Sequence, residues 1–210
     1  MIMDGEKKQI ESERAAENRG IVRRDFVVGS CSVVALIALG GAVKATASQG
    51  LLLRPPGGQD EERLIASCLR CNRCYSVCPR RCISPAGIKG GFLSLRTPML
   101  DFHQGYCDFC NLCIENCPTD ALLAFSPEND RMGIAVIDPD RCLAWQKSGC
   151  SVCIEACEYG AIVGDERGAP VVVAELCNGC GRCEYVCPSN SFRSYSGDSS
   201  RGIEVKVIER

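Results

Sequence analysis

Seventeen of the eighteen cysteines in this 210-residue chain fall between Cys68 and Cys187, and sixteen of them form four blocks. Three blocks read C-x2-C-x2-C-x3-C-P: Cys68, Cys71, Cys74, Cys78 with Pro79; Cys107, Cys110, Cys113, Cys117 with Pro118; Cys177, Cys180, Cys183, Cys187 with Pro188. The remaining block, Cys142, Cys150, Cys153, Cys157, is stretched. Three thiolates within seven residues can turn inward on one loop and hold three corners of an iron–sulfur cube, while the fourth cysteine of such a run ligates the other cluster of a pair. Four blocks therefore imply two cluster pairs: four [4Fe-4S] clusters with the sixteen cysteines as iron ligands.

Structural zinc prefers two C-x2-C pairs separated by a longer stretch, so a third cysteine at the next x2 step is surplus to a tetrahedral site. Cysteines three residues apart on one loop are poorly placed to bridge each other, which speaks against a disulfide framework.

The N-terminal segment looks like a twin-arginine export signal. Arg23 and Arg24 precede Phe26 and an apolar run to about Val43, and Ala45-Thr46-Ala47 supplies an A-x-A cleavage pattern. The run falls short of the roughly 20 apolar residues that a spanning helix needs. Cys31 lies inside it and is expected to leave with the signal. That address implies a location in the periplasm or on the outer face of the cytoplasmic membrane. It also removes a conflict, because exported thiols would oxidise unless the protein travelled folded and loaded.

The expected organisation is a signal peptide over 1–47, a Pro/Gly-rich extended lead over 48–67, a four-cluster domain over 68–193 and a tail over 194–210 with an edge strand at Ile203, Val205 and Val207. Ser84 to Pro98, with three glycines and two prolines, reads as a linker between the first two blocks. A β-favouring run, Ile134 to Ile137 or Val171 to Val173, leads into a block, and an apolar stretch, Ala121 to Phe125 or Ala161 to Val163, follows one. The fold class is α+β: tandem bacterial-ferredoxin-like modules, each binding two clusters, with little regular secondary structure. A chain that commits so many cysteines to ligation must use the clusters as core, so folding and cluster insertion are coupled.

Charge is uneven. Residues 48 to 96 carry eight basic side chains against three acidic, and residues 97 to 210 carry nine against seventeen. The basic end surrounds the first block and reads as a docking face for an acidic redox partner, or as charge that raises the potential of the nearby cluster. No basic stripe interleaves with aromatics, so nucleic acid is not a partner.

With these pieces in place, the chain resembles the NapG/MauM family of periplasmic ferredoxin-type proteins. The resemblance rests on the twin arginines, the Leu53-Arg54-Pro55-Pro56-Gly57 lead, the ordered blocks, the Arg131 to Val136 run and the stretched block with Leu143, Ala144 and Trp145. It implies an electron-transfer subunit that passes electrons between a membrane quinol-oxidising partner and a partner oxidoreductase, nitrate-reductase-like or methylamine-dehydrogenase-like. The alternative is a tightly bound subunit of a molybdopterin oxidoreductase. Related four-cluster subunits pair the first block with the fourth and the second with the third. On that pattern Cys187 joins Cys68, Cys71, Cys74; Cys78 joins Cys177, Cys180, Cys183; Cys157 joins Cys107, Cys110, Cys113; and Cys117 joins Cys142, Cys150, Cys153. Pairing first with second and third with fourth is the alternative, and exchanges only the fourth ligands. One departure is Glu158, which stands where proline is expected and would place negative charge beside a cluster.

No enzyme is read here. His103 is the only histidine and is read as a linker residue, and no C-x-x-C-H, Walker or G-x-G-x-x-G motif offers a catalytic or nucleotide site. Cys82 has no slot in the four blocks; it is a free or buried thiol, or a substitute ligand after Cys78.

Overall fold

The computed structural model describes residues 52–146, 148–189 and 200–208, all within a unit spanning 49 to 210. The export signal read at residues 1–47 lies outside them. Helices are short and strands come in pairs, because cysteine loops occupy the positions that longer elements would need.

Helix α1 (Glu61–Ser67) precedes the first block. The Asp60 carboxylate accepts from the Arg63 N–H at 3.1 Å, and Glu61 and Glu62 sit in the first turn, where the helix dipole favours negative charge. Its Leu64 is 0% exposed. One-turn helices α2 (Arg73–Ser76), α3 (Leu112–Glu115), α4 (Val152–Ala156) and α5 (Arg182–Tyr185) each carry the third cysteine of a block.

Three antiparallel strand pairs separate the loops. Strands β1 (Ile83–Pro85) and β2 (Pro98–Leu100) pair with Ile83 opposite Leu100. Strand β3 (Ile134–Ile137) pairs across the half with β6 (Ile203–Lys206), Ala135 opposite Val205. Strands β4 (Ile162–Gly164) and β5 (Pro170–Val172) form a hairpin. The run from Ala161 thus becomes a strand, while Ala121 to Phe125 takes neither helix nor strand.

The lead and part of the Ser84 to Pro98 segment, both readable as linkers, are built into the core, while the loop around Ile88 and Phe92 stays exposed. Arg54 is only 3% exposed, and its guanidinium forms a bidentate pair with Glu61 and donates to Thr97 Oγ1 at 2.9 Å and the Pro98 carbonyl at 2.7 Å. Pro55, Pro56 and Thr97 are fully buried. The lead then clips down through Leu100 N–H to the Leu53 carbonyl at 2.8 Å and Leu123 N–H to Gly57 at 3.0 Å.

Cysteines and apolar side chains share one core. Leu64, Ile83, Leu100, Phe102, Ile162 and Ile203 pack in the same cluster as Cys82, Cys113, Cys153, Cys177 and Cys183.

Candidate iron–sulfur sites

The three regular blocks coil by the same device. The residue before the second cysteine and the residue after it both have positive φ: Arg70 and Asn72, Phe109 and Asn111, Gly179 and Gly181. Two left-handed residues flanking one thiol curl the loop so that three sulfurs face a common centre. Such a conformation costs about 1–3 kcal/mol for a non-glycine residue and persists only where its surroundings hold it. In the stretched block only Gly149 does this, at φ 71°. Gly181 has a second reason: a Cβ there would lie 2.2 Å from the Phe102 ring.

Four small cavities result, each lined by at least four cysteines. The first is lined by Cys68, Cys71, Cys74 and Cys117. Cys107, Cys110 and Cys113 meet Cys78 at the second. The third gathers Cys142, Cys150, Cys153 and Cys187, and the fourth Cys177, Cys180, Cys183 and Cys157. Each site takes three cysteines from one block and the last cysteine of its sequence neighbour.

The cavities group the thiols as in the sequential alternative, not as in the first-with-fourth, second-with-third pattern that the resemblance implied. Cys187 does not join the first block nor Cys78 the fourth, and Cys157 and Cys117 do not cross between the second and third. The reason is local connection: α2 packs on α3 and α4 on α5. The β1–β2 hairpin folds the chain between the first two blocks back on itself, so neighbouring blocks close without a long crossover.

The donor set suits a cluster. All seventeen described cysteines are free thiols. Among the described residues, no three His, Cys, Asp or Glu side chains converge at single-ion geometry; the thiols surround a space instead. Burial, with the nearby negative charge of sister thiols, pushes Cys113 and Cys153 up to about 12. Burial likewise raises Cys74 and Cys180 to about 11. To sit together as thiolates, these buried sulfurs need a cationic occupant. Backbone amides already point at the sulfurs: Arg70 N–H at 3.4 Å from Cys68, Ala135 N–H at 3.4 Å from Cys177 and Ala161 N–H at 3.2 Å from Cys157.

The sites also stand in an order. Cys113 lies within electrostatic reach of Cys74, Cys180 of Cys107, and Cys183 of Cys153. Across the middle, the Cys107 N–H donates to the Cys180 carbonyl at 2.8 Å. The sequence of cavities is therefore first, second, fourth, third.

The Arg131 to Val136 run explains itself here. Arg131 donates to the carbonyls of Ala174 and Glu175 at 2.7 and 2.6 Å, and the Met132 N–H to Asn178 at 3.1 Å, which presses β3 onto the fourth loop. Glu158 pairs with Arg182, so its charge beside Cys157 is offset. Trp145 donates from Nε1 to the Pro170 carbonyl at 3.2 Å, on the wall of the third cavity.

Two residues escaped sequence reasoning. Glu184, next to Cys183, is buried, accepts from the Val205 N–H at 2.6 Å and is pushed up to about 7 by desolvation. His103, read as a linker residue, has its Nε2 3.6 Å from the Glu184 carboxylate. Nothing in the local pattern of either residue marks them, because their partners lie in other segments.

A family model described as a 4Fe-4S dicluster domain matches residues 106–161 and again 148–191. The second match covers the third block from Cys150 and the whole fourth block. The first spans the second and third, which share no cavity. Ferredoxin-type protein NapG of Escherichia coli (strain K12) is 33% identical over 182 residues, 78% of this chain and 78% of that protein. Ferredoxin-type protein NapF of the same organism is 33% identical over 151 residues, 70% and 85% of the two chains. The methylamine utilization ferredoxin-type protein MauM of Paracoccus denitrificans (strain Pd 1222) is 31% identical over 194 residues, 83% and 86%. The chain belongs to the NapG/MauM family of ferredoxin-type iron–sulfur proteins.

Proposed function

We propose that this family member is an exported carrier of four [4Fe-4S] clusters that relays electrons between a membrane quinol-oxidising partner and a partner oxidoreductase. The observation that carries the reading is the set of four cavities, each walled by three cysteines of one block and the last cysteine of a block adjacent to it in sequence.

On this reading the sixteen block cysteines are the iron ligands, and the chain is two modules in tandem, the first built from blocks one and two, the second from blocks three and four. When bound, a [4Fe-4S] cluster accepts and releases one electron, at a potential set by charge, hydrogen bonds and exposure. The protein's own part is to hold the thiols, donate backbone amides to their sulfurs, and keep the four sites in single file. The N–H of Cys107 joined to the carbonyl of Cys180 supports a rigid junction between the modules. The name of the MauM relative points to methylamine-linked chemistry as one setting and the family resemblance to a nitrate-reductase-like one as the other, and Arg23, Arg24 and the A-x-A site support a location outside the cytoplasmic membrane.

Anaerobic titration with dithionite tests the reading. Uptake of about four electrons per chain, with bleaching of cluster absorbance, is expected. Uptake in two-electron steps without cluster absorbance would indicate disulfides and sink it. Fractionation should find the mature protein outside the cytoplasm.

A further inference from the structure

The three most exposed large apolar side chains on the described surface lie within 24 residues of one another: Ile88 at 82%, Phe92 at 78% and Leu69 at 66%. Leu93 and Tyr75 are exposed beside them. Scattered apolar residues need no explanation, but a grouped set marks an interaction site.

Arg70 ties the group together. From the first cysteine loop its guanidinium donates to the carbonyls of Leu93 and Leu95, both at 3.0 Å, and fastens the loop bearing Ile88, Phe92 and Leu93 next to the first cavity. Leu69, Tyr75, Arg73 and Arg96 line that cavity, and Cys71 within it is one of two exposed cysteines among the described residues.

The charge of this face is uncompensated. Arg73, Lys89 and Arg96 have no ion-pair partner among the described residues, whereas Arg54, Arg80, Arg167 and Arg182 each pair with a carboxylate. On a chain whose later part is strongly acidic, these three charges make the surroundings of an exposed thiol positive. Arginine and aromatic side chains around a desolvatable centre are the composition of protein interfaces. Positive potential steers a negatively charged partner to it.

We propose that the face formed by Leu69, Arg73, Ile88, Lys89, Phe92 and Arg96 docks an acidic redox protein and that electrons pass there through the first cluster. This rests on reading the first cavity as a cluster site. A redox protein is favoured over a lipid surface because the face encloses an exposed thiol of that site, and lipid would neither give nor take an electron.

The holoprotein, reduced with dithionite, is mixed in a stopped-flow with an acidic c-type cytochrome and, separately, a basic one; in each turnover one electron leaves the protein and reduces one ferric haem. The acidic cytochrome should react at least about tenfold faster at low salt, and its advantage should vanish as ionic strength rises. Lys89→Glu with Arg96→Glu should abolish the preference, and Ile88→Ser with Phe92→Ser should raise the half-saturating cytochrome concentration without changing the limiting rate. Iron content must be unchanged in both double variants, and Arg167→Glu should be silent. Equal rates for the two cytochromes, a faster basic one, or indifference to the substitutions would overturn the proposal. So would sedimentation with phosphatidylglycerol vesicles that the same substitutions abolish, since the face would then bind lipid. A wild-type protein without cluster iron would instead defeat the reading of the cavity.

Discussion

The Sγ atoms of Cys78 and Cys82 lie 3.7 Å apart, with Cys82 only 1% exposed and inside the same cavity as Cys107, Cys110 and Cys113. Cys78 is drawn down to about 6, first by the Cys82 side-chain hydrogen bond, while Cys82 is held strongly protonated by its contacts with Cys107 and Cys78. The second site thus has a fifth thiol, held protonated within hydrogen-bonding distance of the Cys78 sulfur.

Hydrogen bonds to ligand sulfurs stabilise the more negative, reduced cluster and raise its potential. Cys82→Ala should therefore lower one of the four potentials. A hydrogen bond worth about 0.5–1.5 kcal/mol corresponds to about 20–60 mV for a one-electron couple. EPR-monitored redox titration should show one shifted wave and three unshifted ones. No shift, or loss of iron from the site, would mean that Cys82 acts otherwise.

Gly181→Ala places a Cβ 2.2 Å from the Phe102 ring and forces a side chain into φ +77°, so the fourth loop should fail to close. The combined backbone and overpacking cost is at least about 2 kcal/mol. Iron content should fall by about four atoms per chain, a loss that Gly168→Ala should not cause: the Cβ there meets nothing within 4 Å, although φ is also positive, at +77°.

The Gly181 case shows what could be read from the sequence and what could not. Glycine or asparagine after the second cysteine, at Asn72, Asn111 and Gly181, is a legible sign of a left-handed turn. The matching turns at Arg70 and Phe109 carry no such sign, because ligation geometry and not local preference imposes them. The block spacing marked the candidate ligands, yet the grouping of Cys78, Cys117, Cys157 and Cys187 depends on which helices pack together, a tertiary fact. The Arg54 lead looked like a linker because its partners, Glu61, Thr97 and Pro98, include residues more than forty positions away.

Arg54→Ala should destabilise the protein by about 2–4 kcal/mol, since it strips a buried cation from Glu61 and leaves Thr97 and the Pro98 carbonyl without their donor. Glu61 retains some contact with water, its side chain being 31% exposed, which holds the cost toward the lower end. Chemical denaturation followed by cluster absorbance checks this. The midpoint should drop in Arg54→Ala, and also in Arg54→Lys, because lysine lacks the planar fork that meets Glu61 with two donors.

Iron and acid-labile sulfide per chain test the sequentially paired four-site arrangement most directly. About sixteen of each are expected in the wild type. Replacing Cys68, Cys71, Cys74 and Cys117 with alanine removes one complete site and should leave about twelve irons. Replacing Cys68, Cys71, Cys74 and Cys187 instead removes one site and cripples another, and should leave about eight. The reverse order of the two variants would contradict sequential pairing, and a wild type without labile sulfide would contradict the clusters themselves.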